Sequence, residues 1–243
     1  LLGEADVHQL QQRSLDLRNH IPDELHTLRD LVQEVDKVVS QVIRTVIAAG
    51  KTPIVIGGGH NNAYPVMKGT YQGLGKRPVA VVNIDPHADI RELEGRHSGN
   101  GFSYAIADGY LEKYFPIGLH QNYNNTYTWK TLNGDAGLFR YLTAEDMLFG
   151  NISTADTVKQ VSKFFKGLPV GIEVDMDSIR FTESSARTPV GLSDGKVRKL
   201  LHLLASGKNI VYLNLSEGIP SPEGQTGKLQ AYLVADFIRA RSL

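Results

Sequence analysis

The sequence contains no cysteine among its 243 residues, so neither disulfides nor thiolate metal sites are available to it. Basic and acidic residues number 26 each, and a formal net charge of zero offers no global attraction to nucleic acid or an anionic membrane. No apolar run reaches the roughly 18 residues of a membrane-spanning helix, and no signal-peptide pattern opens the chain. These absences favour a cytoplasmic protein that acts on a small molecule and binds neither nucleic acid nor membrane.

Nucleotide-binding motifs are also missing. No G-x-G-x-x-G occurs, and the segment AAGKT at 48–52 resembles a phosphate-binding loop only in part. Thr45 stands where that loop needs its first glycine, and the segment follows a predicted helix. The run GGGH at 57–60 could approach a phosphate closely, but it lacks the rest of a nucleotide motif. We therefore exclude nucleotide binding as the function.

Apolar residues recur with helical period through residues 22–49, and Pro22 stands near the expected helix start. Beyond this helix, short runs of Val, Ile and Leu alternate with helical segments, as in a parallel sheet covered on both faces. The pattern predicts an α/β protein, a single-domain three-layer α/β/α sandwich with a mainly parallel sheet over residues 1–243. A segment preceding Leu1 is expected to be missing. The predicted strands are TPIVIGGG, PVAVVNID, YFPIGLH, a weaker GLFRYL, LPVGIEVD and KNIVYLNL, and the later predicted helices are 61–73, 154–166, 194–206 and 225–241.

Side chains of metal-binding type collect where the predicted strands end. The segment NIDPHADIR follows an apolar run and carries Asp85, His87 and Asp89 at i, i+2, i+4 spacing. Alternate residues of an extended segment point the same way, and parallel strands end at one edge of a sheet, so these side chains can converge. The other predicted strand ends supply His60 in GGGH, Asp175 and Asp177 in DMD, and Glu217 in NLSEG.

Carboxylates crowded so closely would repel one another unless a cation neutralised them. Four carboxylates and two imidazoles suit a divalent ion, with Mn²⁺ favoured over Zn²⁺ where six-coordination is possible, although spacing alone does not select the metal. A solvated turn with capping aspartates is the alternative for DPHAD, and ligand-type residues at the other strand ends disfavour it. Glu173 points the same way from further back on its strand, so we expect it to support a ligand.

These residues resemble the metal motifs of the ureohydrolases, the family of arginase, agmatinase and formimidoylglutamase. The motifs are a Gly-Gly-x-His turn, D-x-H-x-D and D-x-D, and the resemblance covers nearly all of the chain. It implies two Mn²⁺ ions per chain, bridged by Asp85 and Asp175. By the same resemblance, His60 and Asp89 complete one site, and His87 and Asp177 complete the other. We also expect a homo-oligomer.

Within the family, the chain looks most like formimidoylglutamase. Gly-Gly-Gly-His, D-x-R ending at Arg91 and the loop HSGNGF carry this likeness, and Phe102 stands about where arginases and agmatinases have a histidine. Asn100 and Gly101 depart from the usual Ser-Gly-Thr-Pro-Phe form of the loop, Pro86 stands where Ala is usual, and Asn214 stands where the family often has Asp. The residues predicted to bind substrate are Arg91, Arg96, His97, Ser98 and Asn100, with a solvated surface role as the alternative for Arg96 and an ion pair to a ligand carboxylate for Arg91.

The resemblance implies hydrolysis of N-formimidoyl-L-glutamate to glutamate and formamide, a step of histidine degradation. Two Mn²⁺ ions would lower the pKa of a shared water and give a hydroxide near neutral pH. Asp89 would pass the proton, and Glu217 would hold the cationic amidine. Another amidino or guanidino hydrolase, similar to guanidinobutyrase or agmatinase, is the alternative within the enzymes. A non-catalytic arginase-like protein is the alternative outside them, and the presence of all six ligands disfavours it.

Overall fold

A computed structural model of the chain describes residues 3–17, 23–150 and 152–242. In these residues six strands form one parallel sheet in the order β1-β6-β5-β2-β3-β4. The strands are β1 (Ile54–Ile56), β2 (Val79–Ile84), β3 (Leu111–Leu119), β4 (Leu142–Thr143), β5 (Val170–Asp175) and β6 (Ile210–Ser216). The helices described are α1 (His8–Leu17), α2 (Leu25–Ala48), α3 (Ala63–Gly73), α4 (Gly101–Ala107), α5 (Thr126–Gly134), α6 (Ala144–Phe149), α7 (Thr154–Phe164), α8 (Asp194–Ala205) and α9 (Gln225–Arg241).

The sheet separates two apolar cores, which confirms the predicted three-layer sandwich. Strand β2 divides its side chains between them, because successive residues of a strand point to opposite faces. Val82 and Ile84 pack in the core that α7, α8 and α9 cover, whereas Val79 and Val81 pack in the core that α2, α3 and α4 cover. All six residues of β2 are buried, as expected for a central parallel strand.

Helices α2 and α3 pack closely because two glycines of α3 face α2. A Cβ added to Gly69 would lie 2.5 Å from the carbonyl oxygen of Ser40, and one added to Gly73 would lie 2.7 Å from the side chain of Ile47. The backbones could not approach to this distance with larger residues. The N-terminal half of α2 lies beside the loop that follows β2, where Arg29 contacts Glu94 and Asp36 contacts Arg96.

The structure changes several predicted boundaries. The predicted long helix is α2, which begins at Leu25, while Pro22 lies outside the described residues. The weak strand GLFRYL is wrong in position, since Phe139 makes only an isolated bridge to Tyr114 and the regular strand is β4. Asp135 causes this difference, because its Oδ1 accepts hydrogen bonds from the backbone N–H of Gly137 and Leu138 and holds that segment in a turn. Helices α1, α4, α5 and α6 were not predicted.

Among residues 3–17, 23–150 and 152–242, every helix is too short or too polar to span a bilayer.

Candidate metal centre

Asp85 lies at the end of the buried central strand β2 and is itself fully buried. Its backbone N–H donates to the carbonyl of Ile117 in β3, so the residue is still held by the sheet. Its Oδ1 accepts a 2.7 Å hydrogen bond from the backbone N–H of His87 and closes the turn that follows. Its Oδ2 accepts from Asn83 Nδ2 at 3.0 Å. The carboxylate is therefore fixed from both sides.

Asp175 repeats this arrangement at the end of β5. Its Oδ1 accepts a 2.7 Å hydrogen bond from the backbone N–H of Asp177, two residues later, as Asp85 does with His87. Strands β2 and β5 are neighbours with Ile84 opposite Val174, so the two carboxylates lie side by side. Two strand ends of the same local geometry thus bring two buried acids together.

His60 lies in the centre of a group of carboxylates. Its Nδ1 is 3.1 Å from Asp85 Oδ2, 2.9 Å from Asp89 Oδ2 and 3.1 Å from Asp175 Oδ2. One ligand atom from each of these four residues lies within 4.8 Å of the others. Both ring nitrogens of His60 are buried without a hydrogen bond to any residue that the structure describes. A buried imidazole nitrogen that faces three carboxylate oxygens fits a divalent cation, which would satisfy all four groups at once.

His87 and Asp177 form a second, more open group on the other side of Asp85. His87 Nδ1 is 3.4 Å from Asp85 Oδ1 and 3.9 Å from Asp177 Oδ2. The two oxygens of Asp85 therefore face different histidines, which is the geometry that a bridging carboxylate requires. The His87 ring stacks on Tyr123, with a centroid distance of 5.4 Å, and stays partly exposed. The structure thus brings all six predicted ligands to one edge of the sheet.

Glu173 lies behind His60, as the sequence predicted. Its Oε2 is 3.6 Å from His60 Nε2, the nitrogen that points away from the carboxylate group. Tyr212 donates to Glu173 Oε1 at 2.8 Å, and Asn214 Nδ2 donates to Oε2 at 2.6 Å. A carboxylate behind a ligating histidine orients the ring and increases its basicity. Asn214, a departure from the family pattern, therefore holds Glu173 in place.

Burial and mutual repulsion shift the pKa values of this group. Burial and the charge of Asp85 raise the pKa of Asp89 to about 6. Burial, again with the charge of Asp85, raises the pKa of Asp175 well above its usual range. Burial lowers the pKa of His60, but the nearby carboxylates of Asp175, Asp85 and Asp89 outweigh it and raise the pKa overall. Without a cation, the group therefore retains protons that a metal ion would displace.

We expect Mn²⁺ binding to release protons and to weaken as the pH falls. Asp89 must be deprotonated to bind, and its pKa of about 6 adds roughly tenfold per pH unit below that value to the fall in apparent affinity that the raised pKa values of His60 and Asp175 already cause. Titration calorimetry in buffers of different ionisation enthalpy, from pH 5 to 8, measures both quantities. The variant Asp89→Asn is the control and should release fewer protons. An Asp89→Asn variant with the wild-type proton release and the wild-type fall in affinity from pH 7 to pH 5 would show that Asp89 does not bind the ion.

Glu217 lies beside the His60 turn, immediately after β6. Its Oε1 accepts a 2.5 Å hydrogen bond from the backbone N–H of His60. The backbone of Glu217 has φ of 62°, a left-handed conformation that non-glycine residues adopt at a cost of about 1–3 kcal/mol. Asp89 has φ of 50° and shares this property. A Cβ at Gly59 would lie 3.2 Å from Glu217 Oε1, so the glycine leaves room for this carboxylate.

The predicted surface role of Arg96 is wrong, because its side chain is only 2% exposed. Its guanidinium contacts the rings of Tyr64 and Tyr104, with Cζ 4.6 and 5.3 Å from their centroids. All five N–H donors have acceptors within the protein. The acceptors are both carboxylate oxygens of Asp36, the carbonyls of Asn61 and His97, and Oδ1 of Asn100. No donor is therefore left for substrate. Arg96 instead connects α2, the loop that follows β2 and Asn61, the residue next to His60.

Asn100 was also predicted to bind substrate, and the structure gives it a structural role. It is fully buried, its Oδ1 accepts from the backbone N–H of His97 at 3.0 Å, and its Nδ2 donates to the carbonyls of Glu92 and Gly95. Its amide is therefore used within the loop. Ser98 is exposed on the same loop.

Arg91 and His97 lie at the protein surface, and both contact Glu94. Arg91 is 57% exposed and its Nη2 donates to Glu94 Oε1 at 2.8 Å, so its partner is a loop glutamate and not a ligand carboxylate. His97 Nε2 is 3.2 Å from the same oxygen. Both side chains remain candidates for binding substrate.

Sequence reasoning missed Asn83 and Tyr114. Asn83 Nδ2 donates to Tyr114 Oη at 2.9 Å as well as to Asp85, and Tyr114 Oη donates to the carbonyl of Ala88 at 2.9 Å. The two residues thus support the turn that carries three of the six ligands. A buried asparagine in the apolar run VAVVNI was the available signal, since such a residue needs polar partners.

A model of the Arginase family matches residues 4–239. The chain belongs to the arginase family. Among curated proteins, this arginase-family chain is similar to the formimidoylglutamase of Streptococcus pyogenes serotype M3 (strain MGAS315), with 30% identity over 219 residues. The match covers 85% of this chain and 65% of the relative, so the chain spans about two thirds of the length of that protein. The formimidoylglutamase of S. pyogenes serotype M12 is 28% identical with the same coverage.

Solved structures show the same fold for this arginase-family chain. Formimidoylglutamase from Bacillus subtilis superposes with a TM-score of 0.78 at 19% identity, covering 86% of this chain and 68% of that one. Formiminoglutamase from Trypanosoma cruzi, determined with Mn²⁺, gives 0.74 at 20% identity, covering 86% and 71%. Proclavaminate amidino hydrolase from Streptomyces clavuligerus gives 0.72 at 21% identity, covering 84% and 69%. These superpositions confirm the fold.

Proposed function

We propose that the protein hydrolyses N-formimidoyl-L-glutamate to L-glutamate and formamide and uses two Mn²⁺ ions. The observation that carries the proposal is the buried Nδ1 of His60, which lies within 3.1 Å of three carboxylate oxygens and makes no hydrogen bond to a described residue. Such a site needs a cation. The similarity to formimidoylglutamases supports the choice of substrate.

We assign one ion to His60 and Asp89 and the other to His87 and Asp177, with Asp85 and Asp175 shared. The first group is compact, and the two oxygens of Asp85 face the two histidines. Bound divalent ions supply a water of lowered pKa as the nucleophile. The protein residues contribute the remaining steps, which are substrate binding and proton transfer.

Glu217 is assigned to the amidine. Its Oε1 already accepts from the backbone of His60, which fixes the carboxylate beside the candidate metal centre. The fixed carboxylate accepts N–H donors of the cationic amidine and holds its carbon near the nucleophile. A carboxylate that is already fixed in this way does not need to reorient when charge develops in the transition state.

Asp89 is assigned to proton transfer. Asp89 Oδ2 lies 2.9 Å from His60 Nδ1, so its carboxylate is placed where it can accept a proton from the nucleophile and release it again. Water adds to the amidine carbon, the bond from that carbon to the glutamate nitrogen breaks, and Asp89 delivers the proton to this leaving nitrogen. The products are formamide and the free amine of glutamate, which balances the atoms of one water.

The test is an assay of the metal-free protein reconstituted with Mn²⁺. We expect formamide release from formimidoylglutamate with a kcat/KM about 100-fold above the values for arginine, agmatine and 4-guanidinobutyrate. This ratio corresponds to about one charge-assisted hydrogen bond that the other substrates lack. Protein left metal-free is the control and should be inactive. Urea release from a guanidino substrate at an equal or higher kcat/KM would assign a different substrate.

A further inference from the structure

Three nitrogen-bearing side chains converge on one carboxylate in the loop after the metal ligands. Glu94 Oε1 is 2.8 Å from Arg91 Nη2 and 3.2 Å from His97 Nε2, and Glu94 Oε2 is 3.4 Å from Arg29 Nη2. His97 Nδ1 accepts from the backbone N–H of Gly99, so Nε2 is the nitrogen that carries the proton and donates. One glutamate is thus held by two guanidinium groups and an imidazole, which leaves an excess of positive charge.

These donors line a pocket of about 190 Å³ between α2 and the loop. Arg29, Arg91 and His97 form its polar side, and Leu25, Leu28 and Val32 of α2 form its apolar side. A cationic end beside an aliphatic wall matches a short aliphatic chain that ends in a carboxylate. Arg96, whose guanidinium donates to the carbonyl next to His60, lines the same pocket and ties it to the candidate metal centre.

Arg29 is fixed in this position by the backbone of the loop. Its Nη1 donates to the carbonyl of Glu94, and a Cβ at Gly95 would lie 2.6 Å from Arg29 Cδ. Gly95 also has φ of 96°, which favours glycine. Arg29 Nε makes no hydrogen bond to the residues described in the structure, and the side chain is only 21% exposed. The guanidinium is therefore held in place independently of the Glu94 carboxylate.

The contacts to the Glu94 carboxylate are individually weak. The side chain of Glu94 is 35% exposed, and exposed ion pairs contribute only about 0–1 kcal/mol each. Rotation of the side chain into solvent would leave Arg29 held by the backbone carbonyl of Glu94, with the charges of Arg29 and Arg91 uncompensated. An incoming carboxylate can then take the vacated position at little energetic cost.

We propose that the Glu94 carboxylate stands in for a substrate carboxylate and is displaced by it, with Arg29 and Arg91 as the receiving cations. This inference rests on the proposed function, since a dicarboxylate such as formimidoylglutamate places its amidine at the metals and its side-chain carboxylate in this pocket. Arg29, on a helix far from the metal ligands in sequence, is then a specificity-determining residue. Glu94 competes with the substrate carboxylate for the two arginines and so lowers the affinity of the pocket for substrate.

The test compares Glu94→Gln with Arg29→Gln on two substrates. For formimidoylglutamate, Glu94→Gln should lower KM about fivefold with kcat within twofold, and Arg29→Gln should raise KM about tenfold, the lower end of the range for a hydrogen bond to a charged group. For N-formimidoylglycine, which lacks the second carboxylate, both variants should stay within twofold of the wild type. Glu34→Gln and Lys37→Gln, from an exposed 2.6 Å ion pair on the same helix, are matched controls and should leave KM unchanged.

Calorimetric titration with glutarate separates this inference from the proposed reaction. Tighter glutarate binding by Glu94→Gln and weaker binding by Arg29→Gln support the pocket even if the wild type releases no formamide. An active enzyme whose variants all keep the wild-type KM and glutarate affinity overturns the pocket and leaves the reaction standing. A rise in KM on Glu94→Gln, or equal shifts for both substrates, also overturns it. If Arg29→Gln does not fold, the KM and the glutarate affinity of the surface substitution Glu94→Gln are sufficient to decide whether the pocket binds the substrate carboxylate.

Discussion

Replacing Asp175 with alanine is expected to remove most of the bound Mn²⁺ and to lower kcat/KM by more than about a thousandfold, which is about 4 kcal/mol of transition-state stabilisation. Asp175 is buried at the end of β5, with Oδ2 facing His60 and Oδ1 facing the turn of Asp177. The proposed assignment makes Asp175 a ligand of both ions, so its loss is expected to damage both. Metal analysis of the purified protein, together with the formamide assay, measures the two effects.

Asp177→Ala is the matched control for Asp175→Ala. Its carboxylate also accepts from Ser185 Oγ at 3.0 Å and from the backbone N–H of Ala186 at 2.9 Å, so part of its role is to hold that loop. We expect this variant to retain about one ion per chain, because Asp177 belongs to one ligand group only. Equal metal content in the two variants would show that Asp175 does not bridge.

Replacing Arg96 with leucine is expected to destabilise the fold by about 3–5 kcal/mol, because it leaves the carboxylate of Asp36 buried and unpaired. Asp36 is only 3% exposed, and its bond from Arg96 Nε is 2.9 Å long. The free energy of unfolding from urea titration measures the loss. The double variant Arg96→Leu with Asp36→Leu is the control and should recover most of it, since apolar replacements of a buried ion pair are often tolerated.

The loss of stability should depend on pH. Burial raises the pKa of Asp36 to about 6 despite the opposing charge of Arg96, and removal of Arg96 would raise it further. A carboxyl group whose pKa is higher in the folded than in the unfolded chain binds its proton more tightly when folded, so stability falls as the pH rises between the two values. Arg96→Leu should therefore be destabilised less at pH 5 than at pH 8. A pH-independent loss would point to lost packing against Tyr64 and Tyr104 instead.

The metal ligands could be predicted from the sequence because each signal is local. DPHAD and DMD place their ligands two residues apart directly after apolar runs, and that spacing alone puts the side chains on one side of an extended segment. The parallel sheet then brings the two strand ends together. The position of Glu173 behind the ligands followed from the same alternation along β5.

The roles of Arg96 and Asn100 could not be predicted because they depend on a distant helix. Asp36 precedes Arg96 by 60 residues, and local patterns give no sign that α2 packs against the loop. A charged residue in the polar segment RELEGRHSGN also resembles a surface residue by composition. Arg29 was missed for the same reason, since its contact with Glu94 spans 65 residues.

The position of β1 has a consequence for how the protein is made. Strand β1 pairs with β6, with Ile54 opposite Leu213, and the glycine turn that follows is tied to the end of β6 by bonds from Gly57 to Leu215 and from Glu217 to Gly58. The turn that carries His60 therefore gains its place only after the ribosome has synthesised β6. Contacts of such long sequence separation form slowly. Until β6 is made, the acidic turns lack His60, so the compact group of His60 with Asp85, Asp89 and Asp175 can assemble only late in synthesis.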